Sequence, residues 1–536
     1  MPNALRKHVT PGATPQSEAA RPDQKKNNAG GYTFTVDDRT RLNRFLTLGT
    51  EGGTYYVNEK KLTRDNVGVV IKMAEASDPR LISDTVAVSD AGRAPRNQPA
   101  LFANAAAAGL GATPYRHNAL DALPQVARTG YHFLVWAEYI EMFRGWGPQL
   151  VKGAANWYKV KSPEDLAYQL LKYKQREGWS QRDLMRLANG QGGLKAGATA
   201  EQKAVFNYVM KGEFDAAHLP PLIDVAEQAH ETRAVKDWIR LIESTRSLSH
   251  EMLPSEALAE PDVWRALADN GNLPLGALLR NLSRLTRLGV IRQMDTWTAS
   301  LLQKRLLDAG AVSKARIHPV SVLLALKTYA LGHSIQGKST WTPVPQVIDA
   351  LDEMFYLAFG NVQPSGKRTL IATDVSGSMT WQIAGYPFTA AEIVGALAMV
   401  TMKTEPQYAM VGFADQIRPI PISPRQRLDD VCRMMRLNTS GRTDCALPML
   451  WAQQQNLAVD TFQVMTDNET WYGQIHPHEA LKRYRKHTGI DARLQVVAIA
   501  PTEFSIADPL DPGQLDVSGF DSAVPNLLAN HARGEL

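Results

Sequence analysis

The stretch Arg368-Thr-Leu-Ile-Ala-Thr-Asp374-Val-Ser-Gly-Ser378 decides how the last third of this chain folds. Its first six residues are rich in apolar and β-branched side chains, the composition of a buried strand. Asp374, Ser376 and Ser378 then place one carboxylate and two hydroxyls at the carboxyl end of that strand. Further on, strand-like runs at 408–413, 461–466 and 494–500 alternate with helical runs at 390–403, 425–435, 445–455 and 478–487. Such alternation predicts a parallel sheet with helices on both faces. Sheets of this kind bind ligands beyond the carboxyl ends of their strands, where the strand order reverses.

Thr443, in Ser440-Gly-Arg-Thr443, and Asp467, in Thr466-Asp-Asn-Glu-Thr470, fall at the edges of two of these expected elements. With Asp374, Ser376 and Ser378 they form a set of hard oxygen ligands on three loops. Mg²⁺ takes about six oxygens and keeps several waters. No Cys or His falls among the five positions, which favours a hard cation over zinc. Hydroxyls bring no charge, so an acidic group from a protein partner would complete the coordination. No nucleophile or general base accompanies the set, so no enzyme activity is expected. The alternative is an empty site in a domain kept for packing. The five positions resemble the metal-ion-dependent adhesion site of von Willebrand factor A domains, Asp-x-Ser-x-Ser followed by Thr and Asp.

A chain of 536 residues should form more than one domain. From about 35 to 355 the periodicity is mostly helical, with apolar residues three and four apart at 41–48, 66–74, 163–175, 181–188 and 321–331. A string of helix pairs suggests a solenoid of diverged repeats, with an irregular helical domain as the alternative. The expected division is a disordered tail over 1–30, helical repeats over 31–363 and the α/β domain over 364–536. The tail assignment rests on four prolines, Lys25-Lys26-Asn27-Asn28 and the lack of an apolar core. Residues 367–536 hold 15 Lys/Arg against 18 Asp/Glu, so of the formal charge of +5 the remainder carries +8. The basic part is the better candidate for a nucleic-acid partner. Two cysteines in a chain this long are no disulfide framework, and a reducing, cytoplasmic compartment is expected. No apolar run is long enough to span a membrane.

Gly332-His-Ser-Ile-Gln-Gly337-Lys338-Ser339 satisfies the P-loop pattern. The mechanism requires a strand before it and a helix after it. A helical run precedes this stretch and Trp341-Thr-Pro343-Val-Pro345 follows it, so nucleotide binding is rejected.

Residues 143–190 carry nine Lys/Arg and four Asp/Glu, interleaved with Trp146, Trp157, Tyr158, Tyr168, Tyr173 and Trp179. In a helix running on toward Gly178, Lys172 and Arg176 lie four apart, opposite the apolar face of Leu166, Ala167, Leu170 and Leu171. Lys174 lies between them. Ser180 with Asp183 resembles a capping box that opens the next helix, where Arg182 and Arg186 repeat the spacing and Asn189-Gly190 closes it. Such a surface could grip structured RNA through phosphates and shape. The bland alternative is a solvated charged face.

Lys172-Tyr-Lys-Gln-Arg176-Glu-Gly-Trp179-Ser180 resembles the signature of the Ro autoantigen, or TROVE-domain, family. So do Arg44-Phe-Leu-Thr-Leu-Gly-Thr-Glu-Gly-Gly-Thr-Tyr-Tyr56, Leu278-Leu-Arg-Asn-Leu282 and Lys314-Ala-Arg-Ile-His-Pro319. Gly441-Arg-Thr-Asp-Cys-Ala-Leu-Pro448, Thr466–Thr470 and Phe504-Ser-Ile-Ala-Asp508 extend the likeness, which runs from about 35 to the C-terminus. The resemblance implies a closed ring of HEAT-like α-helical repeats joined to a von Willebrand factor A domain, in a monomeric protein. It implies small noncoding Y RNA on the outer surface, and single-stranded ends of misfolded RNA in the central hole. It further implies exoribonuclease partners in RNA quality control. Lys172 and Arg176 fall on the family's Y RNA contacts. Asn189 replaces a His found in animal members, and keeps a hydrogen-bond donor without the charge. Arg39, Arg41, Arg44, Arg280 and Arg284 are candidates for lining the hole. The P-loop look-alike is a family segment within the ring.

Overall fold

The computed structural model describes residues 13–50, 53–190, 192–334, 337–360, 362–383 and 386–535. The helical part opens with Asp38–Leu48, Glu59–Glu75 and Pro79–Ala91, each capped by an Asp or Asn side chain. Gln98–Leu110 packs on both Thr113–Val126 and Gly130–Glu141, and Thr113–Val126 packs in turn on Pro148–Lys159. Contacts of this next-but-one kind build a two-layered array of repeats. Ala103 and Ala105–Ala108 are buried, and such small side chains allow close helix approach. The array returns on itself. Arg316, just after helix Ala309–Lys314, donates to the carbonyl of Asp90 at 2.6 Å, and His318 Nε2 lies 3.2 Å from the carbonyl of Arg93. The last helices therefore meet the third, which closes the ring.

Two short strands precede the helices, β1 (Lys25–Lys26) and β2 (Tyr32–Thr35), and a hairpin, β3 (Gln175–Arg176) and β4 (Trp179–Ser180), interrupts them. The α/β domain adds β5 (Thr369–Asp374), β6 (Tyr408–Phe413), β7 (Ile417–Arg418), β8 (Thr461–Thr466), β9 (Arg493–Ala498), β10 (Phe504–Ser505) and β11 (Gln514–Ser518). Its six-stranded sheet runs β11-β9-β8-β5-β6-β7, parallel except for β7. One face, with Leu370, Ala372, Val464 and Val496, packs under Leu447–Gln454 and Pro477–Thr488. The opposite face, with Ile371, Met465 and Val497, belongs to an apolar core continuous with that of the helical array. The chain leaves β5 to one side for β6 and to the other for β8, so the order reverses at β5 and β8.

Residues 13–30 correct the expected disordered tail, while residues 1–12 lie outside the described residues. Gln16 is fully buried: its side chain donates to Asp444 at 2.8 Å and to the carbonyl of Ile475 at 2.7 Å, and it accepts from the Thr470 hydroxyl. β2 pairs antiparallel with β10, Thr35 opposite Phe504. The segment is held by backbone and amide hydrogen bonds to the α/β domain, not by an apolar core of its own, so its composition was silent.

The seam between the domains centres on Arg44, which is 0 % exposed. Its guanidinium donates to both oxygens of Asp516, at 2.6 and 2.7 Å, and to the carbonyls of Thr502 and Phe504. Arg44 therefore corrects its assignment as a hole-lining residue. Arg41 is also engaged here, with Glu503 at 3.2 Å. Asn66 donates to the carbonyl of Pro501, and Lys327 pairs with Glu392. Arg44→Ala should lower the stability to urea unfolding by about 3 kcal/mol, because it leaves the half-buried Asp516 carboxylate with only the Ser505 hydroxyl for a partner and two carbonyls without their donor. In a double-mutant cycle Asp516→Ala should then cost much less in the Arg44→Ala background.

His318 caps helix Pro319–Leu331 by accepting from the Val320 amide at its Nδ1, which leaves the proton on Nε2 for the Arg93 carbonyl. Burial holds its pKa down to about 4, against the opposing pull of Asp521 and of that hydrogen bond. Burial brings His132, His478 and His531 to about 4 as well. The unfolded chain takes up these protons first, so the stability these histidines contribute is full above about pH 6.5 and is lost as pH drops from there toward 4. Over that window the melting temperature of wild type should fall relative to that of His318→Gln, which lacks one of the four groups.

Candidate functional site

Asp374 ends β5, and Asp467 follows β8, at the point where strand order reverses. Ser376 and Ser378 follow Asp374 on one loop, and Thr443 precedes helix Leu447–Gln454 on another. All five predicted ligand residues are buried around this one point. Asp374 accepts from the Ser376 amide at 2.9 Å and from the Thr466 hydroxyl at 2.7 Å. The hydroxyls of Ser376 and Ser378 lie 2.9 Å apart. One Asp467 oxygen accepts from the Glu469 amide at 3.0 Å. Its other oxygen, Oδ2, and the Thr443 hydroxyl are buried with no hydrogen-bond partner.

Two orphaned oxygens beside a buried aspartate pair are costly unless something satisfies them. Burial raises the pKa of Asp374 against its hydrogen bonds to Ser376 and Thr466. Burial, then the charges of Asp374 and Glu469, raise that of Asp467 against hydrogen bonding with the Glu469 amide and the Ser378 hydroxyl. A hard divalent cation would reverse both effects, because it stabilises the ionised carboxylates and accepts the free oxygen lone pairs. The donor set fits such an ion.

Two groups around this site were not found in the sequence. The N-terminal segment holds the Asp467 loop: Asn28 donates to Glu469 at 2.6 Å, as does the Ala29 amide at 3.1 Å, and Asn27 reaches the carbonyl of Thr470. A Cβ on Gly31 would stand 2.1 Å from the Thr470 carbonyl oxygen, so only glycine permits this approach. Tyr56, from the helical domain, also lies against the site. Burial and then Asp467 push its hydroxyl pKa up, opposed by hydrogen bonding with Trp471 and Ser378. Tyr56 stands in the quoted opening motif, but nothing in its spacing points to the Asp467 loop, 411 residues further on.

The basic residues occupy a different element order from the one predicted. The helix starts at Pro163 but stops at Lys172. Gln175 then pairs with Ser180, and Arg176 with Trp179, across a turn in which Glu177 (φ 50°) and Gly178 (φ 77°) are both left-handed, the geometry of a type I′ hairpin turn. Arg176 is thus carried by a hairpin rather than by the helical spacing. Lys172 is a correction as a free phosphate contact. Its side chain is 8 % exposed, donates to the Tyr168 hydroxyl at 2.8 Å and lies 3.6 Å from Glu251. Burial works against its charge, and these partners outweigh burial and raise its pKa.

Lys174, Arg176, Arg182, Arg186 and Asn189 are all exposed. The capping box of Ser180 and Asp183 is present, and helix Gln181–Ala188 ends at Asn189 as expected. Arg176 pairs with Glu177 at 2.9 Å, and its guanidinium lies over the Tyr131 ring.

Of the hole-lining candidates, Arg280 is exposed. Arg39 is half-exposed and bound bidentately to Asp84. Arg284 lies over the Trp264 ring and donates to the Leu258 carbonyl. The P-loop look-alike follows helix Pro319–Leu331 and precedes the one starting at Pro345, so the required strand and helix are not there. Ile335 and Gln336 within it lie outside the described residues.

The TROVE domain family model matches residues 25–237 and 239–367, and the Ro60 vWA domain model matches 368–532. The chain belongs to the Ro60 family. It is 40% identical to the RNA-binding protein RO60 of Deinococcus radiodurans over the whole of both chains. It is 32% identical to the RNA-binding protein RO60 of Caenorhabditis elegans, over 97% of this chain and 92% of the relative. The crystal structure of the Deinococcus radiodurans Ro (RSR) protein superposes with a TM-score of 0.68 at 39% identity, covering 93% of this chain and all of that one. The Ro60 relatives are named as RNA-binding proteins. Among the described residues no helix is long and apolar enough to cross a membrane.

Proposed function

We propose that this Ro60-family protein is a noncatalytic RNA-binding ring of the cytoplasm. A small structured Y RNA binds on the basic face of the β3–β4 hairpin and helix Gln181–Ala188. The single-stranded end of a misfolded RNA enters the hole, and exoribonucleases act on RNA presented in this way. The observation that carries this reading is the set of solvent-facing cations Lys174, Arg176, Arg182 and Arg186 on two consecutive elements. Their spread suits contacts to phosphates and to helix shape, not to base sequence. Each phosphate contact releases counterions, so binding falls steeply with salt. Arg176→Ala/Arg186→Ala should flatten the slope of log affinity against log salt for a stem-loop RNA by about one per lost contact. The same variant should hold a single-stranded oligonucleotide nearly as well as wild type. Equal loss of both probes in filter binding rules out two separate sites.

The α/β domain supports a second, compatible reading as a docking module, in which Asp374, Ser376, Ser378, Thr443 and Asp467 hold Mg²⁺ and an acidic protein partner completes the shell. The orphaned oxygens of Asp467 and Thr443 favour it. Mg²⁺ should raise the melting temperature of the wild type, since an ion bound only by the folded state stabilises it. The shift should vanish in Asp467→Asn. A Mg²⁺ response unchanged by that substitution places the ion elsewhere.

A further inference from the structure

A cavity of about 180 Å³ opens beside the basic face. Its apolar floor comes from Leu170, Leu171, Val205, Val209 and Ile223, on three different helices. Tyr208 forms part of its wall, and Lys174 and Arg182 border it. Both cations are exposed, and Arg182 is steadied by a hydrogen bond from Nε to the Met210 carbonyl at 3.0 Å. Tyr208 is half-buried, and its hydroxyl donates to Glu227, which pins the ring. Phe214, 50 % exposed, meets Tyr208 edge to face at 6.5 Å.

The contents of such a space follow from its size and its rim. A cavity of about 150 Å³ is known to take one benzene ring, whereas drug-sized ligands need about 300 Å³ or more. The cavity, somewhat larger than one that takes benzene, therefore suits one flat group the size of a nucleobase. Its rim is cationic where the ring's substituent would emerge. The nearby acidic groups are already engaged, Glu227 by Tyr208 and Asp183 by Ser180. A flat, weakly polar ring tethered to an anionic chain is an unpaired nucleotide.

We infer that this cavity takes one unpaired nucleobase of the RNA held on the basic face, with its ring against Tyr208 and its flanking phosphates on Lys174 and Arg182. The inference rests on the proposed RNA face. It adds a discriminating contact to it, because phosphate contacts alone cannot tell a bulged or looped RNA from a continuous duplex.

The test uses the full-length protein and two RNA hairpins of equal length, one fully paired in its stem and one with a single bulged 2-aminopurine. Wild type should bind the bulged hairpin more tightly and quench its fluorescence, as stacking on an aromatic ring does. Val209→Phe fills the cavity. It should weaken the bulged hairpin about tenfold, within the range measured for loss of base–aromatic stacking. It should leave the paired hairpin and both salt slopes unchanged. Tyr208→Phe keeps the ring and should retain the preference for the bulge. Lys174→Ala/Arg182→Ala should weaken both hairpins and flatten both slopes. If the cation variant weakens binding while Val209→Phe does not, the pocket is overturned and the basic face stands. If the cation variant changes neither hairpin, the face falls and the pocket with it. Should Val209→Phe fail to fold, an unquenched, mobile 2-aminopurine in the wild-type complex overturns the pocket by itself.

Discussion

The buried guanidinium of Arg44 is the constraint on which the two-domain arrangement depends. A charge with no solvent contact must be paired or it is expelled. Here the carboxylate of Asp516, on β11, and the carbonyls of Thr502 and of Phe504, the latter on β10, hold its two terminal nitrogens, while Nε is buried without a partner. Arg44 lies on the first helix of the array. Satisfying one side chain thus sets the first helix against the far edge of the sheet, and β2 can then pair with β10. With the angle between the domains set in this way, the Asp467 loop comes to rest beneath the N-terminal segment and beside Tyr56.

The two chemical regions of the molecule are opposites. The site at β5 and β8 is buried, acidic and short of hydrogen-bond donors. The face formed by the β3–β4 hairpin and helix Gln181–Ala188 is exposed, cationic and bordered by an apolar hollow. Neither could do the other's work: phosphates would be repelled by the aspartate pair, and a hard cation finds no oxygen cluster on the hairpin. Their separation onto different domains is consistent with the charge balance, −3 on the last 170 residues and +8 on the rest.

Much of this was legible in the chain. Strand alternation placed β5, β6, β8 and β9 to within a residue or two, and the five oxygen positions converged because strand ends and their loops are local to the motifs that mark them. The capping box at Ser180 was readable for the same reason. What failed was non-local. Arg44 looked like any helical arginine, because its partners lie more than 450 residues away. Lys172 looked exposed on a helical wheel, yet Glu251 reaches it from another repeat. The helix ended at Lys172 because two left-handed residues at Glu177 and Gly178 favour a hairpin, and only the glycine announced it. Residues 13–30 carry too few apolar side chains to signal order, since polar hydrogen bonds to the Asp467 loop and its surroundings hold them.

The pairing of β2 with β10 has a consequence for how the protein is made. A strand finished among the first 35 residues waits for a partner that begins at Phe504. At a translation rate of about 5–20 residues per second, that wait is on the order of 25–95 s. During this interval the ring can close on itself, but one edge of β2 and the face around Arg44 have nothing to rest on. The nascent chain therefore exposes an unpaired edge for most of its synthesis, which is the form most open to mispairing with a neighbour on the same message.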